Sequence, residues 1–182
     1  MERVSIYIDG GPFTDAVRGS GMSLDIRWRE FLAEVAGTSA TVTAHYFTSL
    51  LPASPYPVKH RNQASFIERL GANGIKAHVG RTEVVNSLFV ERGVEVLLAR
   101  QMLNDAYANT YDRAILLSNR IDLLPLLDSI DGLGRKINVS FFKYKLTARP
   151  QLGTHWKASE QLDPGVIYRN TESGRKPYYK LD

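Results

Sequence analysis

Short apolar runs and amphipathic stretches alternate along most of the chain, and they predict alternating strands and helices. β-Branched, aliphatic and aromatic residues dominate the predicted strands, at residues 3–8, 41–47, 75–79, 113–118 and 136–142. Apolar residues recur at mostly helical spacing in four intervening stretches, at residues 24–35, 62–72, 94–108 and 122–130. This alternation is typical of parallel strands covered by helices on both faces. We therefore predict an α/β fold, a three-layer α/β/α sandwich with a mainly parallel central sheet.

The segments between these elements carry turn formers, and the end of the chain loses its periodicity. Residues 9–12, Asp-Gly-Gly-Pro, are predicted to form a tight loop after the first strand, and residues 49–57 a long proline-rich loop. No periodic pattern continues after about residue 162. We predict one domain over residues 1–162 and a loosely attached, basic and aromatic C-terminal extension over residues 163–182.

Composition excludes cysteine-dependent sites and favours a protein without a secretory signal or a membrane helix. The chain has 182 residues and no cysteine, so a disulfide framework and a thiolate zinc site are excluded. Its start lacks the pattern of a secretory signal, and no segment reaches the length of a membrane helix. We therefore expect a cytoplasmic protein with no membrane contact. The formal charge of +4 fits a polyanionic partner without requiring one.

Three acidic residues are predicted to meet at one rim of the sheet. Asp9 follows the first strand, and Asp122 follows the strand at residues 113–118. Glu95 opens the helix that precedes that strand, at the end facing the same rim. Ligands of open α/β sheets bind at the carboxyl ends of the strands. Clustered carboxylates suit Mg²⁺ or Mn²⁺, which could orient a phosphodiester and activate water for its hydrolysis.

Each acid also has an ordinary structural interpretation. Asp9 could be a turn former, and Asp122 could cap the helix that follows it. Glu95 in a first helical turn could simply complement the helix dipole. His45 and His78, in two predicted strands, are interpreted as packed or surface residues, because no histidine pair has a metal-ligand spacing.

The order and surroundings of these acids resemble the NYN domain family, which is PIN-like. The resemblance covers roughly residues 3–142 and rests on VSIYIDGGPF, RGVEVLLARQML, YDRAILLSNRIDLLPLL and GRKINVSFF. It implies a PIN-like α/β/α fold and metal-dependent cleavage of RNA. The implied catalytic and metal-binding residues are Asp9, Glu95 and Asp122, which would hold Mg²⁺ or Mn²⁺.

The sequence departs from the family pattern inside these blocks. Pro12 replaces an asparagine, Glu95 an aspartate and Gln101 a second helical aspartate. The family's Gly-Asp-Ser-Asp becomes residues 119–122, Asn-Arg-Ile-Asp. Arg120 therefore puts a permanent positive charge where the family supplies a metal ligand. We expect it to pair with Asp9 or Asp122 in the place of the cation.

Basic and aromatic residues suggest where RNA would bind. Lys59 and Arg61 lie beside the proline-rich loop, Arg18 and Arg81 fall in predicted loops, and Ser118, Asn119 and Arg120 flank the acids. Near the end of the chain, basic residues alternate with aromatic residues. These are Lys143, Lys145, Arg149, Lys157, Arg169, Arg175, Lys176 and Lys180 with Tyr144, Trp156, Tyr168, Tyr178 and Tyr179. Such residues grip phosphates and stack on unpaired bases, although a solvated tail has the same composition.

Two functions remain open at this point. The first is a metal-dependent endoribonuclease of the NYN type acting on single-stranded RNA. The alternative is a catalytically inactive NYN domain that binds RNA or a protein partner, with Arg120 replacing the metal. The C-terminal extension could also mediate contact with a protein partner or a second copy of the chain.

Overall fold

The structure is a computed structural model that describes residues 1–19, 21–141, 156–162 and 164–170. The strands are β1 (Arg3–Asp9), β2 (Thr41–Leu50), β3 (Lys76–Val85), β4 (Leu88–Arg92), β5 (Arg113–Leu117), β6 (Lys136–Phe141) and β7 (Ser159–Gln161). The helices are α1 (Gly10–Gly19), α2 (Trp28–Ala36), α3 (Pro57–Ala72), α4 (Val94–Tyr107), α5 (Leu124–Gly132) and α6 (Pro164–Arg169). A 3₁₀ turn at Ile121–Leu123 precedes α5.

The described strands form one sheet in the order β4-β3-β2-β1-β5-β6-β7. Neighbouring strands are parallel except for β3 and β4, which pair antiparallel. β1 lies in the middle, with its six residues 4–9 all buried. The predicted fold class is confirmed, because the sheet is mainly parallel and helices cover both faces.

Alternate residues of β1 face two different hydrophobic cores, as expected for a strand buried on both sides. Ile6 and Ile8 face the core that contains buried residues of α1, α2 and α6. Tyr7 faces the core built from α4 and α5. His45 on β2 is also buried, and its Nδ1 lies 3.0 Å from Nε2 of His78. Of the two histidines, interpreted as packed or surface residues, His45 is packed and His78 is partly buried beside it.

The predicted tight loop after β1 is wrong, because α1 begins at Gly10 immediately after the strand. Pro12 lies in the first turn of α1, where a missing N–H costs no helical hydrogen bond. Arg18, predicted in a loop, lies in α1. The loop predicted at residues 49–57 is shorter, since β2 continues to Leu50 and α3 begins at Pro57.

A hairpin formed by β3 and β4 was not predicted from the sequence. β3 continues past the predicted end at residue 79, so Arg81 lies in a strand rather than in a loop. Asn86 and Ser87, between the strands, both have positive φ angles. Two consecutive residues with positive φ form the kind of two-residue turn whose twist matches the twist of the two strands that it joins.

The start of the predicted C-terminal extension is packed against the domain. Val166 and Ile167 are buried, and Asn170 donates through Nδ2 to Glu34 Oε2 at 2.8 Å. The expectation of loose attachment is therefore wrong for α6, which is too short to show helical periodicity. The division of the chain at residue 162 stays a prediction.

Most of the basic and aromatic residues predicted near the end of the chain lie outside the described residues or have undescribed side chains. Trp156 is described and buried, with its indole N–H donating to the carbonyl of Ile137 at 3.1 Å. Its predicted role as an exposed stacking platform is therefore wrong. Lys157 is exposed and pairs with Asp131 at 2.5 Å. None of the described helices is long and apolar enough to cross a membrane.

Candidate functional site

The three predicted acids lie at one rim of the sheet, where the parallel strands end. Asp9 is the last residue of β1, and β1 pairs with β5 up to the partners Ile8 and Leu117. Asp122 lies in the 3₁₀ turn shortly after β5. Glu95 lies in the first turn of α4. The fold therefore brings the acids to neighbouring elements at this rim.

Asp9 is buried, with only 2% of its surface exposed. Ser118 Oγ donates a hydrogen bond to Asp9 Oδ2 at 2.8 Å. The other oxygen, Oδ1, has no hydrogen-bond partner among the residues that the structure describes. Burial raises the pKa of Asp9 to about 7, although the Ser118 hydrogen bond and the Arg120 charge oppose the rise. Asp9 is therefore a carboxyl group poised to exchange a proton near neutral pH.

Arg120 forms ion pairs with both of the other acids. Its Nη1 lies 2.5 Å from Glu95 Oε1, and its Nη2 lies 3.0 Å from Asp122 Oδ2. Its backbone N–H donates to Ser118 Oγ at 3.2 Å. The hydrogen bond from Arg120 holds the pKa of Asp122 below its usual value.

The charge state of Arg120 follows from the same contacts. Burial disfavours the protonated guanidinium, but the hydrogen bond to Asp122 and the charges on the nearby acids outweigh burial and raise the pKa of Arg120. Arg120 therefore stays protonated and positively charged at neutral pH. The expected ion pair between Arg120 and Asp122 is present. Asp9 makes no ion pair with Arg120 and interacts with it only through its charge. The ion pair between Arg120 and Glu95 was not expected.

The residues at this rim do not fit a metal centre with three carboxylate ligands. No group of three or more histidine, cysteine, aspartate or glutamate residues in the described parts of the chain could hold a metal ion. The guanidinium of Arg120 already pairs with both Glu95 and Asp122, so these carboxylates are directed at a cation of the chain itself. Asp9 Oδ1 is the one oxygen of the three acids that is both buried and unbonded within the described structure.

Glu91 on β4 is a fourth acid near the site, and sequence reasoning missed it. Ser49 Oγ donates to Glu91 Oε1 at 2.8 Å, and Thr82 Oγ1 donates to Ser49 Oγ at 2.8 Å. The charge of Glu91 also contributes to the raised pKa of Asp9. The signal that could have found it is the pair of short apolar runs, Val84-Val85 and Leu88-Phe89-Val90, on either side of Asn86-Ser87, which is typical of a two-residue hairpin.

The residues predicted to bind RNA have different environments. Lys59 and Arg61 are exposed near the start of α3, and Lys59 Nζ lies 4.7 Å from the ring centroid of the exposed Phe89. Ser118 is buried against Asp9, and Arg120 is engaged in ion pairs. Asn119 is partly buried directly after β5. Their roles in RNA binding stay predictions.

Gly10 allows α1 to begin directly beside Asp9. A Cβ atom at this position would lie 2.4 Å from the carbonyl oxygen of Phe47 and 2.5 Å from the ring of Tyr46. Only glycine fits where the start of α1 approaches β2 so closely, so packing restricts the residue after Asp9 to glycine.

Comparison with known proteins identifies one family and one related structure. The NYN domain family matches residues 3–152 of the chain. A crystal structure of a protein of unknown function from Vibrio parahaemolyticus is similar, with a TM-score of 0.63 and 19% sequence identity. That similarity covers 89% of this chain and 93% of the other, and it bears on the fold alone. No curated protein sequence matches the chain significantly.

Proposed function

Since the chain belongs to the NYN domain family, which is a PIN-like nuclease family, we propose that it binds single-stranded RNA without metal-dependent hydrolysis. In this proposal the guanidinium of Arg120 takes the place of the catalytic cation. Glu95 and Asp122 then hold Arg120 in position instead of serving as metal ligands.

The observation that carries this proposal is the double ion pair of Arg120. Its guanidinium contacts Glu95 and Asp122 at once, at 2.5 Å and 3.0 Å. Its side chain is only 29% exposed, so water screens these pairs less than it screens pairs on an open surface. A divalent cation at the same acids would have to displace this guanidinium or share a small volume with it, and both cost electrostatic free energy.

Exposed basic and aromatic side chains at the start of α3 and on β4 support RNA as the partner. Lys59 and Arg61 present exposed cations at the start of α3, and Phe89 adds an exposed aromatic ring beside Lys59. Cations that contact phosphates and aromatic rings that stack on bases are the usual means of holding single-stranded RNA. We propose that this surface contributes most of the affinity, since Arg120 is neutralised by its own acids.

A metal-dependent endoribonuclease remains the second candidate function. Asp9 favours it, because a buried carboxylate oxygen without a hydrogen-bond partner in the described structure is a position where a cation would be stabilised. Under this candidate, Mg²⁺ or Mn²⁺ would have to enter beside Asp9 and break the ion pairs of Arg120.

The two candidates are separated by measuring binding and cleavage on the same labelled single-stranded RNA. We expect the native protein to bind the RNA equally well in EDTA and in Mn²⁺, and to leave it intact in both. The Asp9→Asn variant should behave in the same way. Cleavage that requires Mn²⁺ and disappears in Asp9→Asn would establish the endoribonuclease instead.

A further inference from the structure

A groove lies beside the acids, between helices α1 and α3. Its volume is about 390 Å³. Tyr46 and Thr48 of β2 form its floor, and Gly10 and Gly11 bring it directly next to Asp9. Its size falls within the roughly 300–1,000 Å³ of small-molecule sites, so one nucleotide fits in the volume.

The two helical walls of the groove carry cations and an aromatic ring. Arg18 comes from α1, and Arg69 comes from the facing side of α3. Phe66 lies one turn before Arg69, whose guanidinium carbon is 5.9 Å from the Phe66 ring centroid. The walls therefore offer partners for a phosphate and an apolar surface for a base.

Glu91 lines the same groove and contributes hydrogen-bond acceptors. Its Oε1 accepts the hydrogen bond from Ser49, which fixes the orientation of the carboxylate. Its Oε2 is directed at Gly11, where a Cβ atom would lie only 3.1 Å away. An ionised carboxylate accepts hydrogen bonds and donates none. Because Asp15 also lines the groove, its charges are mixed, which suits a ligand with N–H donors better than a bare phosphate.

We propose that this groove receives one unpaired guanosine of the bound RNA, with its base read by Glu91 and its phosphate contacting Arg18 and Arg69. This inference rests on the proposed RNA-binding function. Guanine presents two adjacent donors, N1–H and the N2 amine, on its Watson–Crick edge, and a carboxylate accepts from both. Uracil has one N–H between two carbonyl oxygens, which a carboxylate repels, while adenine and cytosine place an acceptor beside their amine.

Fluorescence anisotropy with three labelled RNAs tests the assignment on the native chain. The RNAs are an oligouridine, the same oligomer with one central guanosine, and the same oligomer with inosine at that position. Inosine keeps N1–H and lacks the N2 amine. The guanosine RNA should bind about tenfold more tightly than oligouridine, and the inosine RNA should fall between them.

Two variants assign the preference to particular residues. Glu91→Gln should remove the preference for guanosine, and Glu83→Gln on the adjacent strand β3 is the matched control that should keep it. Arg69→Gln should weaken the binding of all three RNAs by a similar factor, because a contact with a phosphate does not distinguish one base from another. Melting temperatures verify that each variant is folded. If Glu91→Gln does not fold, the comparison of guanosine with inosine on the native protein still decides the assignment.

The outcomes separate this inference from the function on which it rests. Equal affinity of the native protein for the three RNAs would overturn the guanosine site and leave RNA binding intact. A preference that survives in Glu91→Gln would overturn the role of Glu91. Absence of binding to any of the RNAs would overturn both proposals.

Discussion

Arg120 Nη1 lies 2.5 Å from Glu95 Oε1, across the rim where the parallel strands end. This contact joins the loop after β5 to the first turn of α4, and the second ion pair of Arg120 extends it to Asp122. The same side chain thereby pairs with two acids, and its charge opposes the burial-driven rise in the pKa of a third, Asp9. The rim therefore gathers three acids and places a cation of the chain itself between two of them.

Replacing Asp9 by asparagine should stabilise the protein at alkaline pH. The pKa of Asp9 is about 7 in the folded protein, above the 3.8 of an unperturbed aspartate. The folded state therefore binds more protons than the unfolded state between about pH 4 and 7, and the contribution of Asp9 to stability is lost as the pH rises through this range. Asp9→Asn avoids the loss. At about pH 8 the free energy of unfolding of the variant should exceed that of the native protein by a few kcal/mol, because each pKa unit corresponds to roughly 1.4 kcal/mol.

Urea unfolding of both proteins at about pH 4 and pH 8 checks this prediction. The difference in free energy of unfolding should be small at the lower pH, where Asp9 is protonated in the folded state and still partly protonated in the unfolded state, where its pKa is 3.8. His45, whose pKa burial lowers to about 4, affects both proteins alike and cancels in the comparison. A variant that is less stable than the native protein at about pH 8 would mean that Asp9 is ionised and well compensated in the fold.

RNA binding should weaken steeply with salt, and Lys59 and Arg61 should account for part of that dependence. Each phosphate contact on a single strand adds about 0.7 to the slope of log affinity against log salt concentration. The double variant Lys59→Gln, Arg61→Gln should therefore lower the slope by about 1.4. Lys136→Gln is the control, because Lys136 begins β6 at the opposite rim. A flat salt response of the native protein, or no binding at low salt, would indicate a protein partner instead.

Gly10→Ala should destabilise the protein by about 1–3 kcal/mol, as overpacking does in well-packed interiors. The new methyl group would lie 2.4 Å from the carbonyl oxygen of Phe47, and neighbouring backbone would have to move. Gly132→Ala at the end of α5 is the matched control, since a Cβ there meets nothing within 4 Å. Denaturant midpoints compare the two substitutions. Equal stability of both variants would show that β1 and β2 accommodate the methyl group without strain.

The central elements of the fold could be predicted because their signals are local. β1 and β5 are short, mostly apolar runs, as expected for strands with helices on both faces. α4 was predicted within about one residue of its bounds. The beginning of α1 could not be predicted in the same way, because Gly10, Gly11 and Pro12 favour a loop locally and only the packing of the helix against β2 overrides them.

The candidate site could be predicted in its position but not in its contacts. Strand ends placed Asp9 and Asp122 at one rim, because parallel strands share the direction in which they end. The partner of Arg120 depends on the reach and direction of a long side chain, which neither periodicity nor spacing encodes, so the pair with Glu95 was missed. Glu91 was missed because the hairpin that carries it was missed.

Calorimetric titration of Mn²⁺ into the native protein and into Arg120→Asp tests the central claim most directly. Two unit charges about 4 Å apart interact by roughly 4 kcal/mol at an effective dielectric of 20, so Arg120 offsets much of the attraction of these acids for a cation. Arg81→Asp is the matched control, because Arg81 is an exposed arginine whose ion pair is with Glu83 and with none of the three acids. The account predicts no measurable Mn²⁺ binding by the native protein or by Arg81→Asp. It predicts clear binding by Arg120→Asp, whose melting temperature should rise when Mn²⁺ is added. Tight Mn²⁺ binding by the native protein, with Arg120→Asp binding no better, would contradict it.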